Sequence, residues 1–469
     1  MKKIYNYYKV KNNLLFFSML LIYMERLPKN VDYSTPLATM PDGTVNYLVS
    51  NTPVNNSSFT PGSTIIVDLN NVPAFLDPAS LSFRYKYTAV TNTCPTAATT
   101  TTLNSGIVGC PAYSAFLRAD ILCNSNVIES INNYNTVATM LTNVGMSVSE
   151  KLGQAYNLGY CGSGGDTMDN QFDVDGHVIV AYTGSTATQA AVTATNYISA
   201  PLIGCCLSNA EKLLPLDIGN WRIQLTLDSL ANIGSSLTGD VALASYTITN
   251  FEIVYNQIQF PMTINQQIKS MPTIRIKTKS FAVGSQSIPA SSSGTVNLYY
   301  NLRFASVRSL FLLCAPTSNA VSASKAMESV DVTTNNGSYQ FSIGGVVCPQ
   351  NPLSTLNNKA GILNELRRAM GSIYDKNNSM AIGGTEFLST QTTATTISIP
   401  GKFIVATNTQ RLTQSQDYMF TGISSANSQI NVIINMGTAN TYAVNAYLVA
   451  NYDAIFEFDV LTKQLNYIQ

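Results

Sequence analysis

The stretch PAYSAFLRADILCNSNVIESINNYNTVATMLTNVGMSVSEKLG, Pro111 to Gly153, decides the fold. Its alternation of apolar and polar residues from Ala115 to Cys123 predicts a strand, Asn124-Ser125-Asn126 a turn, and Val127 to Ile131 a second, short strand. Val137, Met140, Leu141, Val144 and Val148 then fall at i, i+3, i+4, i+7 and i+11, one face of a helix, with Asn135 as its N-cap. Such a helix buries one side against a sheet.

A counterpart lies in the second half. VRSLFLLCAPTSN (Val307 to Asn319) reads as a strand running into a turn, and YQFSIGGVVCPQNPL (Tyr339 to Leu353) leads to a helix. There Leu363, Leu366, Met370 and Ile373 share a face and Asn357 or Asn358 serves as cap. The closing segments also match, Ser245 to Phe260 against Tyr442 to Val460, both long aromatic-rich strand runs. The chain therefore reads as two similar β domains in tandem, with an N-terminal arm over 1–34 and domains over 35–262 and 263–469.

Charged residues make up only 11% of the 469 positions. Together with abundant Thr, Ser, Asn and Tyr, this suits sheets with polar loops and much surface buried against other protein. Secreted β-sandwich adhesins and lectins share the composition. Net charge is zero, so the whole chain is no electrostatic binder of nucleic acid. Residues 1–29 hold six basic residues and one acid, 6 − 1 = +5, leaving −5 for the rest. Between Ile253 and Met327 there are seven basic residues and no acid, Lys269, Arg275, Lys277 and Lys279 among them. That run reads as a polyanion-facing patch or, more plainly, as strand edges and loops kept from pairing by lysines.

The eight cysteines (Cys94, Cys110, Cys123, Cys161, Cys205, Cys206, Cys314, Cys348) show no CxxC or zinc spacing. Cys123, Cys314 and Cys348 lie in apolar strands, where a free thiol acts as a small core residue. Reduced thiols and synthesis in a reducing compartment follow. At the N-terminus, Lys2 and Lys3 before the apolar Leu14 to Met24 look like a signal peptide, but ERLPKN follows instead of a small-residue cleavage site. A tail ordered on assembly, or an extension to a chain starting at Met24, are the readings the thiols favour.

In order, residues 30–60 read as an extended arm, followed by strands at Thr64 to Asn70 and Leu81 to Val90, the Thr96 to Thr102 loop and the stretch above. A Gly-rich loop (Gly159 to Gly176), a strand at His177 to Tyr182 and a cleanly alternating strand at Trp221 to Leu227 precede the connector Met262 to Ser270. Strands of the second half are read at Thr273 to Phe281, Thr295 to Phe304, Ser306 to Cys314, Val330 to Thr334, Tyr339 to Ile343, Ile397 to Ala406, Asp417 to Thr421, Gln429 to Met436 and Tyr442 to Val460. The expected fold is all-β: two tandem eight-stranded antiparallel jelly rolls with short helices in inter-strand loops. Paired immunoglobulin-like sandwiches compete, but a helix-bearing loop at the same place in each half fits them poorly.

Ala115 to Leu141, KLLPLDIGNWRIQLTL (Lys212 to Leu227) and Tyr339 to Leu353 carry a resemblance. Through them the chain resembles the double jelly-roll major capsid proteins of eukaryotic DNA viruses, the group of virophages, Polinton-like viruses and adenovirus hexons. The likeness spans most of residues 35–469 as element order and a few phrases. It implies a subunit with two jelly rolls side by side, trimerising into a pseudo-hexagonal capsomer that tiles an icosahedral shell in the virion. It also implies penton and minor capsid partners, and a basic N-terminal arm on the inner side, in contact with genome or inner membrane. The chain's compact size leaves little room for hexon-like towers.

Enzyme chemistry is poorly supplied. His177 is the only histidine, which excludes HExxH sites and two-histidine triads and reads as structural. The glycines of GYCGSGG lack the Lys-Ser/Thr of a phosphate loop. Asp166, Asp169, Asp173 and Asp175 form an oxygen-rich loop of the kind that holds Ca²⁺, but without EF-hand spacing, so an ordinary polar loop is the plainer reading. Sequons at Asn55, Asn56, Asn336 and Asn377 matter only on a secretory route. No catalytic, cofactor or metal residue is assigned. The functional expectation is a self-associating capsid subunit; the alternative is a secreted tandem β-sandwich adhesin or glycan-binding module, with disulfides and cleavage near Met24.

Overall fold

The computed structural model describes residues 43–93, 103–108, 110–159, 176–182, 193–235, 243–317, 329–356, 359–371, 402–411, 420–440 and 443–469, with positions 191, 380, 382 and 387. The expectations for the N-terminal arm, the Asp166 to Asp175 loop, Cys94, Cys161, Asn357, Asn358, Ile373 and Asn377 lie outside these residues.

Strands of the first half are β1 (Val45–Asn51), β2 (Ser58–Phe59), β3 (Thr64–Asp68), β4 (Phe75–Leu76), β5 (Ser82–Thr91), β6 (Leu103–Val108), β7 (Phe116–Cys123), β8 (Asn126–Asn132), β9 (Gly176–Tyr182), β10 (Thr193–Pro201), β11 (Leu214–Pro215), β12 (Trp221–Leu227), β13 (Gly234–Ser235) and β14 (Leu243–Gln259). The second half supplies β15 (Thr273–Ile288), β16 (Gly294–Tyr300), β17 (Val307–Pro316), β18 (Gly337–Ile343), β19 (Val346–Ser354), β20 (Ile404–Asn408), β21 (Ile430–Met436), β22 (Val444–Asp459) and β23 (Gln464–Ile468). Helices are α1 (Pro111–Ser114), α2 (Tyr134–Gly145), α3 (Val148–Gly153), α4 (Leu230–Ile233), α5 (Met262–Lys269) and α6 (Ala360–Met370).

Every pairing between named strands is antiparallel. In the first half the sheets are β10-β5-β14-β4-β11, with β1 and β2 on β14, β3-β12-β7-β8, and the small β13-β6-β9. In the second half the sheets are β15-β22-β17-β20, with β23 on β22, and β16-β21-β18-β19. The fold is thus all-β, and alternation shows why: β12 and β21 bury every second residue. An aromatic nest of Phe83, Tyr85, Phe116 and Phe251, ring centroids 5.4 to 6.2 Å apart, anchors the first core.

The repeated unit is present in shifted form. β7 and β8 form a hairpin through Asn124 and Ser125, both at positive φ (50° and 67°), and β18 and β19 do so through Gly344 and Gly345 (57° and 84°). Two left-handed residues make the tight turn whose twist matches the flanking strands. Each hairpin is followed by its helix, α2 or α6. The counterpart of β7–β8 is therefore β18–β19 alone. Val307 to Cys314, read above as the first strand of that unit, is β17 of the opposite sheet. Both segments read as strands; only long-range pairing assigns the sheet.

Other expectations are corrected. Val45–Asn51, read as arm, pairs with β14 along all seven residues. The connector Met262 to Ser270 is α5, started by Pro261 and carrying Lys269 in its last turn. Val330 to Thr334 is a turn, not a strand: Ser329 makes an isolated bridge to Lys402, and Asp331 gathers backbone and hydroxyl donors around itself. Asn133, not Asn135, occupies the α2 N-cap position, and Asn135 is buried inside the first turn. Lys359 holds the α6 N-cap position.

Candidate functional site

Among the described residues no group of three or more His, Cys, Asp or Glu is placed to hold a metal ion. His177 lies in β9, paired with Ile107. The Asp166 to Asp175 loop is outside the described residues. Cys123, Cys205, Cys206 and Cys314 are buried free thiols and Cys110 is buried, whereas the Cys348 thiol is only half-buried and so is no core residue. Burial pushes the thiol of Cys123 up to about 11 and that of Cys205 up to about 12. Thiols so far from ionisation are poor nucleophiles.

The basic run does not form a free patch. Lys269 pairs with Asp217 at 2.9 Å, Arg275 with Glu457 at 2.6 Å and Arg308 with Asp453 at 3.0 Å; Lys277, buried, approaches Glu211 at 3.9 Å. Most of its charge is answered within the chain. The acids come from sequence positions far from the run, which is why the run looked unopposed when read alone.

What the geometry builds instead is a seam between the halves. Trp221 of β12 meets Phe456 and Phe458 of β22 edge-on, at centroid distances of 5.7 and 6.2 Å. The loop after β10 runs against β15: Glu211 N–H donates to the Lys277 carbonyl at 3.0 Å, Asn209 Nδ2 to the Lys279 carbonyl at 3.2 Å, and Thr278 Oγ1 to the Cys206 carbonyl at 2.5 Å. Behind this loop Glu129 of β8 is buried. Its Oε2 accepts the Cys206 N–H at 2.9 Å, while Oε1 has no partner among the described residues. Desolvation pushes its carboxyl up to about 8, against the lowering effect of the Cys206 hydrogen bonds.

Three buried aspartates tie loops to sheets. Asp453 accepts from Ser306 Oγ, Arg308 and Thr421. Asp331 pairs with Lys359 at 2.9 Å and accepts from Thr333 and Tyr339. Asp228 accepts from Asn135 Nδ2, Asn232 Nδ2 and the Ser229 N–H. No motif announced them, because their partners converge from distant segments.

Apolar side chains stand exposed on strand edges and hairpin tips. Tyr47 and Leu48 on the edge strand β1 are 48% and 67% exposed, and Val127, Val346 and Val347 project from the two equivalent hairpins. Edges with apolar side chains invite pairing with another chain.

No protein-family model and no curated protein sequence matches the chain. Solved structures do. A chain of the Sputnik virophage, solved by cryo-EM, matches with a TM-score of 0.57 at 14% identity, over 92% of this chain and 89% of that one. The Faustovirus major capsid protein matches with a TM-score of 0.55 at 11% identity over 92% of each chain. The mavirus major capsid protein gives 0.51 at 12% identity over 94% of each. At such identities the likeness is one of fold, and it spans both halves and the seam.

Proposed function

We infer that this chain, which has the all-β jelly-roll fold of viral major capsid proteins, is itself a major capsid subunit of the virion. The single observation that carries the inference is the match over more than nine-tenths of the chain to two major capsid proteins. The exposed edge strand and hairpin tips supply surfaces for self-association, and the buried, reduced thiols speak against the secreted adhesin. We take 35–262 and 263–469 as the two jelly rolls and 1–34 as an arm. The chain forms a homotrimer of pseudo-hexagonal outline, which then tiles a shell together with penton and minor capsid proteins. Catalytic, cofactor and metal roles have no place in this reading.

Light scattering on the purified full chain, with negative-stain microscopy of the same fraction, tests it. Three subunits per particle with hexagonal outlines, or closed shells, are expected. A monomer that stays single at high concentration overturns the capsid reading. For the arm, with its net charge of 6 − 1 = +5 over residues 1–29, we propose contact with genome or inner membrane. Deleting residues 1–29 is expected to leave trimers intact and to reduce packaged cargo, and particles with unchanged cargo would refute the contact.

A further inference from the structure

The seam opens on one side into a cleft of about 530 Å³, within the range of small-molecule sites. Its floor is the β15–β22–β17 face, with Lys279, Phe281, Ser309 and Asn451; Leu141, Met146 and Leu202 of the first half form the opposite wall. The ends of the two equivalent helices close it: a Cβ on Gly145, last residue of α2, would lie 3.9 Å from Met370 Cε at the end of α6.

Two groups on the floor lack partners among the described residues. Lys279 is half-buried and has no carboxylate partner among the described residues, because the acids near it are engaged: Asp453 by Arg308 at 3.0 Å and Glu211 by Lys277 at 3.9 Å. The other cation of the floor, Arg308, is also occupied: Asp453 holds it, and the Gln410 amide, oriented with its oxygen toward the guanidinium, accepts from its Nε and Nη2 at 3.0 and 2.7 Å. Asn451 Oδ1 is buried without a hydrogen bond, while its Nδ2 donates to Ser309 Oγ at 3.4 Å. Glu150, exposed on the rim, is the only carboxylate among the described residues lining the cleft. Desolvation first, and the charge of Arg308 second, lower the Lys279 pKa, which is the signature of a cation held where water serves it poorly.

We propose that this cleft binds a small amphiphilic carboxylate, its acid group on the Lys279 ammonium and its apolar chain along Leu141, Leu202, Phe281 and Met370. The arrangement follows the usual division of a ligand site, in which apolar walls give contact area and a few placed polar groups fix orientation. Arg308 and Asp453 keep their own pairing throughout and serve as the rigid base from which Lys279 projects. The proposal is independent of the capsid reading, since it rests on the seam alone.

N-decanoylglycine, which carries an acyl chain, an amide N–H and a carboxylate, is the probe. Its titration into the full chain by calorimetry, below its micelle concentration, is expected to show saturable one-to-one binding. Capping the acid as the primary amide, or changing the protein by Lys279→Met, is expected to weaken binding about tenfold or more, the scale of one charge-assisted hydrogen bond. Absence of saturable binding overturns the proposal. So does equal binding of the capped probe, which would leave only unspecific apolar contact, or equal binding by a folded Lys279→Met protein. Should that variant not fold, the capped probe against the native chain decides by itself.

Discussion

Glu129 is the residue whose chemistry is most exposed to solution conditions. Its folded-state pKa of about 8 stands above the roughly 4.3 of a free glutamate. Between those values the unfolded chain has released the proton and the native chain retains it. The unfolded state therefore binds fewer protons, and stability falls as pH rises. The contribution is fully present below the unfolded value and lost as pH climbs through about 8, with a slope of at most about 1.4 kcal/mol per pH unit. Glu129→Gln keeps an acceptor for the Cys206 N–H and has no proton to lose. Urea unfolding of both proteins at pH 5 and pH 8 is expected to show the native chain losing several kcal/mol relative to the variant, by the same linkage. Parallel pH profiles would mean that the seam admits water to the carboxylate.

At the scale of elements the two hairpins are the clearest case of local chemistry fixing tertiary structure. Gly344 and Gly345 sit at φ of 57° and 84°, and nothing lies within 4 Å of a Cβ built on Gly345. A substitution there meets no neighbour, so its cost is backbone strain alone. Gly345→Val is expected to cost about 1–2 kcal/mol, the price of a left-handed conformation for an L residue, read as a shift of the denaturation midpoint at unchanged slope. A larger loss would show that the β18–β19 tip also makes contacts the isolated chain does not reveal.

The same elements show what the sequence disclosed. Alternation located β12, β18 and β21, and helical spacing located α6, because each buries one face and the period records it. β7 and α2 stand where the sequence placed them, but α2 is buried on nearly every side rather than on the one expected, its Thr and Asn residues included, and the last five residues of β7 are buried on both faces. Val45–Asn51 escaped because, among the described residues, it is an edge strand paired only with β14, so its side chains are mostly exposed and carry no alternation. α5 escaped because none of its residues is fully buried and its apolar face is only the pair Ile264 and Ile268, too short a stripe to read as a helix. Of the site, Trp221 stood out within a strong strand. The roles of Glu129, Lys279 and Asp453 did not, since a buried charge is defined by partners that only the fold brings together.

For the whole molecule the question is whether the two halves behave as one body. A single buried cluster runs through both, and its most concentrated link is Trp221, 2% exposed, standing against Phe456 and Phe458. Truncating a buried tryptophan removes its transfer free energy and leaves a cavity, together about 3–5 kcal/mol. Here the loss falls on the contact between the halves as well as on the β12 core. Trp221→Ala is therefore expected to lower the unfolding midpoint and to divide the calorimetric transition into two, the first half melting before the second. On the capsid reading proposed above, the lateral faces of the subunit must stand at a fixed angle, and the seam would fix it. On that reading the variant should assemble less well than its stability alone would allow, measured as the fraction of chain in the proposed trimers at a temperature where it remains folded. If Trp221→Ala melted in one transition and trimerised like the native chain, the rigidity of the pair would have to reside in the Glu211–Lys277 and Thr278–Cys206 hydrogen bonds instead.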